Sequence, residues 1–135
     1  MYLLDTNACI YYIKHADSGI RKRIASLSPT EIAIPSIVKF EMYYGSMRSR
    51  DPVSSLQIQD EFFNQFESLS FDDRAAMLAG RIRADLAAKG TPIGPYDLQI
   101  AAIALANNLI LITNNISEFS RITNLQIEDW QTLFG

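Results

Sequence analysis

Cysteine and histidine are nearly absent from this chain of 135 residues, which contains one of each, Cys9 and His15. A single cysteine cannot form an internal disulfide, so we expect a protein that is suited to a reducing cytoplasm. Structural and catalytic zinc sites are built from several cysteine and histidine ligands. One residue of each type therefore argues against a Cys/His zinc centre within one chain.

Long apolar runs and an excess of positive charge are also missing. No apolar stretch approaches the roughly 20 residues that span a bilayer, and Asp5 comes too early for a signal peptide, so we expect a cytoplasmic protein with no membrane partner. The net charge is −3 and the pI is about 5.0. These values argue against nucleic-acid binding through bulk positive charge alone. They do not exclude a nuclease whose bound metal ion supplies positive charge locally.

What remains is the composition of an ordinary globular protein, with 48% hydrophobic and 20% charged residues. A chain of this size can bury a core without cross-links, and we expect a single domain over residues 1–135. Short apolar runs alternate with helical patterns, which predicts an α/β fold with a mainly parallel sheet covered on both faces. The predicted strands lie near residues 2–4, 31–35, 67–71, 109–113 and 125–127.

Helix starts are marked by side chains that cap backbone N–H groups. Ser36 is predicted to cap a helix. Four residues of this helix share one face: Ile37, Phe40, Glu41 and Tyr44. Asp51 before proline and Asp72 are two further start signals. Asp97 lies in the first turn of a helix that is apolar nearly all round and is therefore predicted to be buried.

Three acidic residues, Asp5, Glu41 and Asp97, interrupt these apolar segments. Each has an ordinary alternative explanation: Asp5 as a helix cap, Glu41 as a surface residue, and Asp97 as a partner of the helix dipole. A carboxylate at the edge of a core is nevertheless costly unless its charge is compensated. Convergence of all three on one cleft would be best explained by a divalent cation.

The predicted topology gives these acids a common place. In open parallel sheets, sites form beyond the carboxyl ends of the strands, where the strand order reverses. Asp5 ends the first strand, and Thr113 ends the clearest one, with Asn115 and Glu118 following as further oxygen donors. Oxygen ligands without histidine or thiol select Mg²⁺ or Mn²⁺ over zinc.

Four segments in this order resemble the motifs of PIN-domain ribonucleases, and more narrowly the VapC toxins of VapBC toxin–antitoxin pairs. They are Leu3-Leu4-Asp5-Thr6-Asn7, Phe40-Glu41-Met42, Gly94-Pro95-Tyr96-Asp97 with the helix after it, and Leu111-Ile112-Thr113-Asn114-Asn115 through Ile122. A single Asp-Thr-Asn is unspecific, but the four segments in order are highly specific. The resemblance extends from Tyr2 to Trp130.

The resemblance implies a three-layer α/β/α sandwich and Mg²⁺- or Mn²⁺-dependent cleavage of RNA, with tRNA as a possible substrate. Its acidic core carries over to Asp5, Glu41 and Asp97 as catalytic residues and metal ligands. Many relatives have a fourth acid where this chain has Asn115, so Glu118 or Asn115 is expected to take that catalytic place. Thr6 and Thr113 are expected to hold the pocket by hydrogen bonds.

The resemblance also implies partners: a VapB-like antitoxin that inserts an arginine into the acidic cleft or covers it, and a second copy of the chain in a homodimer. Exposed apolar surface from the first helices is expected to receive the antitoxin. Several tyrosines are candidates for stacking on RNA bases, with packing in the core or in an interface as the alternative; they are Tyr11, Tyr12, Tyr43, Tyr44 and Tyr96.

Two functions from other classes remain as alternatives. A phosphatase that forms an aspartyl phosphate would also place Asp5 after the first strand. Such an enzyme normally needs a second acid where Asn7 stands, and a lysine near the site. A binding module without catalysis would use the acidic cleft for a basic peptide and would bind no metal ion.

Overall fold

Five short strands form a central sheet in which every strand pair is parallel. The computed structural model describes residues 1–133. The strands lie in the order β3-β2-β1-β4-β5. They are β1 (Tyr2–Leu4), β2 (Ile32–Pro35), β3 (Glu67–Leu69), β4 (Ile110–Ile112) and β5 (Ile127–Glu128). The structure thus confirms the predicted parallel sheet.

Helices connect these strands and cover both faces of the sheet. They are α1 (Thr6–Lys14), α2 (Gly19–Ala25), α3 (Ser36–Met47), α4 (Pro52–Phe63), α5 (Asp73–Ala88), α6 (Pro95–Ala106), α7 (Ile116–Phe119) and α8 (Trp130–Leu133). Helices α1 to α4 contact one another, and α5 packs along α6. Because connections between parallel strands are right-handed, these two groups lie on opposite faces. The result is the predicted three-layer α/β/α sandwich.

The order of the strands reverses beside β1. The chain runs from β1 outward through β2 to β3 and then crosses to β4 on the other side of β1. Leu4 is in register with Ile112, so β1 and β4 end level with each other. A parallel sheet leaves a crevice beyond the strand ends at such a reversal. Asp5 and Thr113, the residues that follow the two strands, lie in this crevice.

Aspartate side chains begin several of the helices, as the sequence indicates. Asp51 Oδ1 accepts the N–H of Ser54 at 3.1 Å at the start of α4, and Asp72 Oδ1 accepts the N–H of Ala75 at 2.9 Å at the start of α5. The prediction for Ser36 is wrong, because α3 already includes Ser36 and its N-cap is Pro35, with no side-chain hydrogen bond. The ring of Pro35 fixes its φ angle, and the extended backbone at this residue leads into the helix without a capping side chain.

The core is formed by the sheet and the helices that cover it, and α6 is the helix whose side chains are buried on nearly every face. Buried positions of α6 include Leu98 and the run from Ile100 to Ala104, as predicted from its apolar sequence. The face of α3 that contains Phe40 and Tyr44 is different. Both side chains are exposed, while Val38, Met42 and Ser46 face the core. The apolar strip beside Glu41 is therefore a surface, and not part of the core.

Most strands are shorter than the apolar runs predict, because strand pairing ends where the chain turns into a loop at the cleft or into a helix. The third strand stops at Leu69 instead of Phe71, and the fourth comprises Ile110–Ile112 instead of residues 109–113. The last strand is Ile127–Glu128, displaced toward the C-terminus from the predicted residues 125–127. Within residues 1–133, no helix combines the length and the apolar character needed to cross a bilayer.

Candidate active site

Asp5 lies at the floor of the crevice beyond β1. It is 4% exposed, and its Oδ1 accepts the N–H of Ala8 at 2.8 Å, so the residue also caps α1. Burial raises the pKa of Asp5 from 3.8 to about 6, against hydrogen bonds from Thr113 and Ala8 that lower it. The nearby charge of Glu41 raises the pKa further. Capping and a place in an acidic cluster are therefore both roles of the same side chain.

Glu41 reaches the same crevice from α3. Its Oε1 accepts the hydroxyl hydrogen of Thr6 at 2.9 Å, which ties the carboxylate to the first residue of α1. The charge of Glu41 acts on both Asp5 and Asp97, raising the pKa of each. The structure therefore brings together the three acids that the sequence singles out, from three separate segments of the chain.

Asp97 enters from the first turn of α6 and lies beside Glu118. Burial, the charge of Glu118 and a hydrogen bond between the two side chains raise the pKa of Asp97 from 3.8 to about 7, and the charges of Asp5 and Glu41 act in the same direction. A hydrogen bond between two carboxyl groups requires a proton on one of them. In the metal-free protein Asp97 therefore retains its proton to near-neutral pH.

Asn115 and Glu118 are joined in a small hydrogen-bonded unit at the start of α7. Asn115 Nδ2 donates to Glu118 Oε2 at 2.5 Å, and the N–H of Gly94 donates to Glu118 Oε1 at 3.0 Å. The N–H of Asn115 donates to Thr113 Oγ1 at 3.0 Å. Glu118 thus connects the end of β4 to the loop that delivers Asp97. Asn115 holds Glu118 in place, and Glu118 is the carboxylate that faces the cleft.

A further acid, Asp129, was missed by the sequence reasoning. It follows β5, and its charge contributes to the raised pKa of Asp5. Its Oδ1 accepts the N–H of Gln131 at 2.9 Å. The same signal that identifies Asp5, an acid directly after a strand, would have found it. The last strand was predicted to end at residue 127, so Asp129 was not placed at a strand end.

No cationic side chain among residues 1–133 forms an ion pair with four of the cleft carboxylates. In the described part of the chain, no lysine or arginine nitrogen lies within 4.0 Å of Asp5, Glu41, Asp97 or Glu118. As the side chains stand, no three His, Cys, Asp or Glu residues among those described are arranged to hold a metal ion. The carboxylates thus affect one another through charge without forming a closed coordination shell. Like-charged groups that share a cleft are expected to keep apart when no cation is bound.

The sequence pattern of the PIN domain matches residues 2–125. The chain belongs to the PIN-domain family. It is 43% identical over 129 residues to a Salmonella typhimurium protein named tRNA(fMet)-specific endonuclease VapC, covering 96% of this chain and 97% of that protein. It is 40% identical over 131 residues to Ribonuclease VapC2 of Rickettsia felis, covering 96% and 98%. Within the PIN-domain family it is therefore a member of the VapC ribonucleases.

Solved structures agree with this assignment. A crystal structure of DNA-bound VapBC from Salmonella typhimurium superposes with a TM-score of 0.91 at 43% identity, covering 96% of this chain and 97% of that one. VapBC2 from Rickettsia felis, bound to a DNA fragment from their promoter, gives a TM-score of 0.90 at 38% identity and coverages of 96% and 98%. The resemblance found in the four motifs is confirmed at the level of the whole fold.

The raised pKa values predict that the metal-free protein becomes less stable as pH rises. Asp5 and Asp97 bind protons more tightly in the folded than in the unfolded chain, so their contribution is complete at low pH and is lost as pH rises through about 6 and about 7. For buried Asp5 the whole loss, which begins near pH 4, is on the order of 3 kcal/mol, and about 1 kcal/mol of it falls above pH 5. Urea unfolding in EDTA between pH 5 and pH 8 measures this part of the loss.

The matched variant for this measurement is Asp5→Asn, which keeps an oxygen to accept the N–H of Ala8. At pH 8 we expect Asp5→Asn to have a larger free energy of unfolding than the wild type, and a weaker pH dependence. Asp73→Asn, at an exposed acid in the first turn of α5, serves as the control and should leave the pH dependence unchanged. Two results together would contradict the assignment. They are a free energy of unfolding of the wild type that rises from pH 5 to pH 8, and a lower free energy of unfolding for Asp5→Asn than for the wild type.

Proposed function

We propose that this VapC ribonuclease is the toxin of a toxin–antitoxin pair and hydrolyses phosphodiester bonds of RNA with the help of Mg²⁺ or Mn²⁺. The observation that carries the proposal is the convergence of Asp5, Glu41, Asp97 and Glu118 at the strand-order reversal, with no ion pair to a lysine or arginine among the described residues. The S. typhimurium relative is named as specific for tRNA(fMet), and we take tRNA as the first candidate substrate. Unpaired loops fit best, because their backbone can enter a cleft that excludes a duplex.

The donor set fits a hard divalent cation. Asp5 and Asp97 would hold it directly, and Glu41 would be either a ligand or a partner of the attacking water. These side chains offer oxygen atoms only, which suits Mg²⁺ and Mn²⁺. When bound, the ion would supply positive charge that lowers the pKa of a water molecule and offsets negative charge on the phosphate. Its binding would offset the burial and the repulsion that raise the pKa of Asp5 and Asp97.

The protein's own side chains then orient the reaction. Thr6 fixes one oxygen of Glu41, while Thr113 and the N–H of Ala8 fix Asp5. Glu118, held by Gly94 and Asn115, supports the position of Asp97 and supplies the fourth carboxylate. Water attacks the phosphorus in line with the leaving 3′ oxygen, the bond from phosphorus to that oxygen breaks, and the products are a 5′-phosphate and a 3′-hydroxyl.

The alternative of an aspartyl-phosphate phosphatase has little support in the site. Asn7 stands where such an enzyme needs a second acid. No lysine nitrogen of the described residues comes within 4.0 Å of Asp5. A buried aspartate that also caps a helix, with its Oδ1 on the N–H of Ala8, is poorly exposed for attack on a substrate.

Removal of a single cleft carboxylate should abolish most of the activity. We expect Asp97→Asn to lower the rate of tRNA cleavage by about 10²–10⁴-fold, the range for losing a group that acts on the reacting atoms. Thr6→Val should cost about 10–100-fold, as for residues that orient a ligand. Single-turnover cleavage of initiator tRNA, with sequencing of the RNA ends, measures both effects. EDTA should stop the wild-type reaction, and added Mg²⁺ or Mn²⁺ should restore it.

Asp73→Asn is again the matched control, since it removes an exposed carboxylate outside the cleft. Its cleavage rate should equal that of the wild type. Undiminished cleavage by purified Asp97→Asn, or full activity of the wild type in EDTA, would refute the proposed mechanism.

The proposed antitoxin site is a groove between α1 and α4. Its lining includes Ile10, Ile13 and Ile58, the last being 49% exposed. Gln59 also lines the groove; its Nε2 donates to the carbonyl of Met42 at 3.1 Å. Among the residues described, Gln59 Oε1 is buried without a hydrogen-bond partner, which is costly unless a donor is supplied.

The groove and the acidic cleft share helix α1. Helix α1 begins at the cleft and reaches Ile13 after about 10 Å of helix axis. A partner segment could therefore fill the groove with apolar side chains and place a basic side chain among the cleft carboxylates. Both contacts would inhibit cleavage, one by anchoring the antitoxin and the other by neutralising the acids.

We expect Ile58→Glu to weaken binding of the cognate VapB-like antitoxin by at least about tenfold while leaving RNA cleavage unchanged, because a charge would be buried in an apolar contact. Calorimetric titration of the variant with the antitoxin measures the affinity. Val53→Glu is the matched control, since Val53 is 78% exposed on the same helix but does not line the groove. Equal affinities for wild type and Ile58→Glu would exclude this groove.

A homodimer is the second proposed assembly, and the exposed apolar end of α3 supports it. Tyr44 and Met47 are 59% and 62% exposed, and apolar side chains this open are typical of contact surfaces. We expect Met47→Glu to shift the dimer toward monomer. Light scattering at micromolar concentration measures this shift, and a wild type that is already monomeric would remove the dimer from the account.

A further inference from the structure

Two aromatic side chains stand side by side at the rim of the acidic cleft. Phe40 directly precedes Glu41 on α3, and Tyr96 directly precedes Asp97 on α6. Their ring centroids are 5.5 Å apart, and the ring planes meet at 79°. The pair therefore bridges the two helices that carry two of the three central carboxylates. It has a fixed place relative to the site of cleavage.

Both rings remain open to solvent, unlike most other tyrosines of the chain. Phe40 is 51% exposed and Tyr96 is 42% exposed. Tyr2, Tyr12 and Tyr43 pack instead on Trp130, Phe62 and Phe63, with centroid distances of 5.0, 4.6 and 5.6 Å. Core packing explains those three rings but does not explain the Phe40–Tyr96 pair. An exposed edge-to-face pair leaves the outer ring surfaces available to a flat partner.

The charges around the pair have the sign that RNA requires. Lys39 and Arg48 lie on the same helix as Phe40, beside the ring of Phe63 and over the ring of Tyr44, each about 5.3 Å from the centroid. In the part of the chain that the structure describes, neither forms an ion pair with a carboxylate. Phe63 is buried, but Tyr44 and the nearby Phe40 are exposed, and cations close to exposed aromatic rings are typical of surfaces that bind single-stranded nucleic acids.

We propose that Phe40 and Tyr96 form a stacking platform for a nucleobase next to the scissile phosphate of single-stranded RNA. The proposal rests on the RNA cleavage proposed above and adds how the substrate is held. With the base on the platform, the adjoining phosphate lies toward Glu41 and Asp97, and the next phosphate lies toward Lys39. Stacking favours unpaired over paired RNA, because a base within a duplex has no free face.

The test is a cycle that combines protein variants with a modified substrate. The substrates are a single-stranded RNA oligonucleotide that the wild type cleaves and the same oligonucleotide without the base on one side of the scissile phosphate, each side being tried in turn. Phe40→Ala and Tyr96→Ala should each lower kcat/KM on intact RNA by about tenfold, chiefly through KM, which corresponds to about 1.4 kcal/mol of stacking. On one of the two abasic substrates, both variants should have nearly the same kcat/KM as the wild type has on that same substrate.

Two control variants distinguish stacking from other causes. Tyr96→Phe keeps the ring and should behave as the wild type does. Val53→Ala removes an exposed apolar side chain on a different helix and should leave kcat/KM on both substrates nearly unchanged. Light scattering on the same samples should show the same oligomeric state for Phe40→Ala, Tyr96→Ala and the wild type.

An equal loss of kcat/KM on intact and abasic RNA would overturn the proposal. So would a loss that follows the conversion of a dimer to a monomer, since the rings would then belong to a contact between two copies of the chain. If the wild type cleaves RNA, and Phe40→Ala and Tyr96→Ala cleave it equally well, the stacking platform is refuted but the proposed function is not. A wild type that cleaves no RNA removes the proposed function as well.

Discussion

The parallel pairing of β1 with β4 is the constraint on which the site depends. The two strands end in register, with Leu4 opposite Ile112, and the N–H of Asp5 donates to the carbonyl of Ile112 at 3.1 Å. Because of this contact, Asp5 lies in the crevice where the connections after β1 and β4 diverge. Thr113 follows on the neighbouring strand and donates to Asp5. The sheet itself therefore fixes the first carboxylate and its hydrogen-bond partner.

The remaining acids are brought to this point by helices, and their charges oppose the folded state. Glu41 comes from α3, and Asp97 comes from the first turn of α6. Because most side chains of α6 are buried, the first turn of this helix has a fixed position. Burial and mutual repulsion raise the pKa of Asp5 and Asp97 together. A fold selected for stability alone would not retain this arrangement. The repulsion is useful because a divalent cation would relieve it.

Much of this arrangement could be predicted from the sequence, because apolar runs and capping side chains act locally. The strand before Asp5, the caps Asp51 and Asp72 and the buried helix after Asp97 all follow from such local patterns. The convergence of the acids required one more step, the rule that parallel strands end along one edge. Family motifs supplied the identity of the family and the roles expected of the side chains.

What could not be predicted depends on tertiary packing. The face of α3 that contains Phe40 has the spacing of a core face, but Val38 and Met42 turn toward the sheet instead. Local periodicity cannot choose between two apolar stripes on one helix when the packing partners are unknown. Asp129 was missed because the end of a short edge strand is set by its pairing with β4. The hydrogen bonds of Glu118 to Gly94 and Asn115 likewise join segments that are distant in sequence.

The most direct test of the account is the position of a manganese ion in crystals of the protein grown with Mn²⁺. Anomalous scattering would locate the ion without ambiguity. The account predicts a peak in the crevice beyond β1 and β4, about 2.0–2.2 Å from carboxylate oxygens of Asp5 and Asp97, as expected for a small hard cation. Crystals of Asp97→Asn should lack it. Manganese bound elsewhere, in a protein that still cleaves RNA, would contradict the central claim.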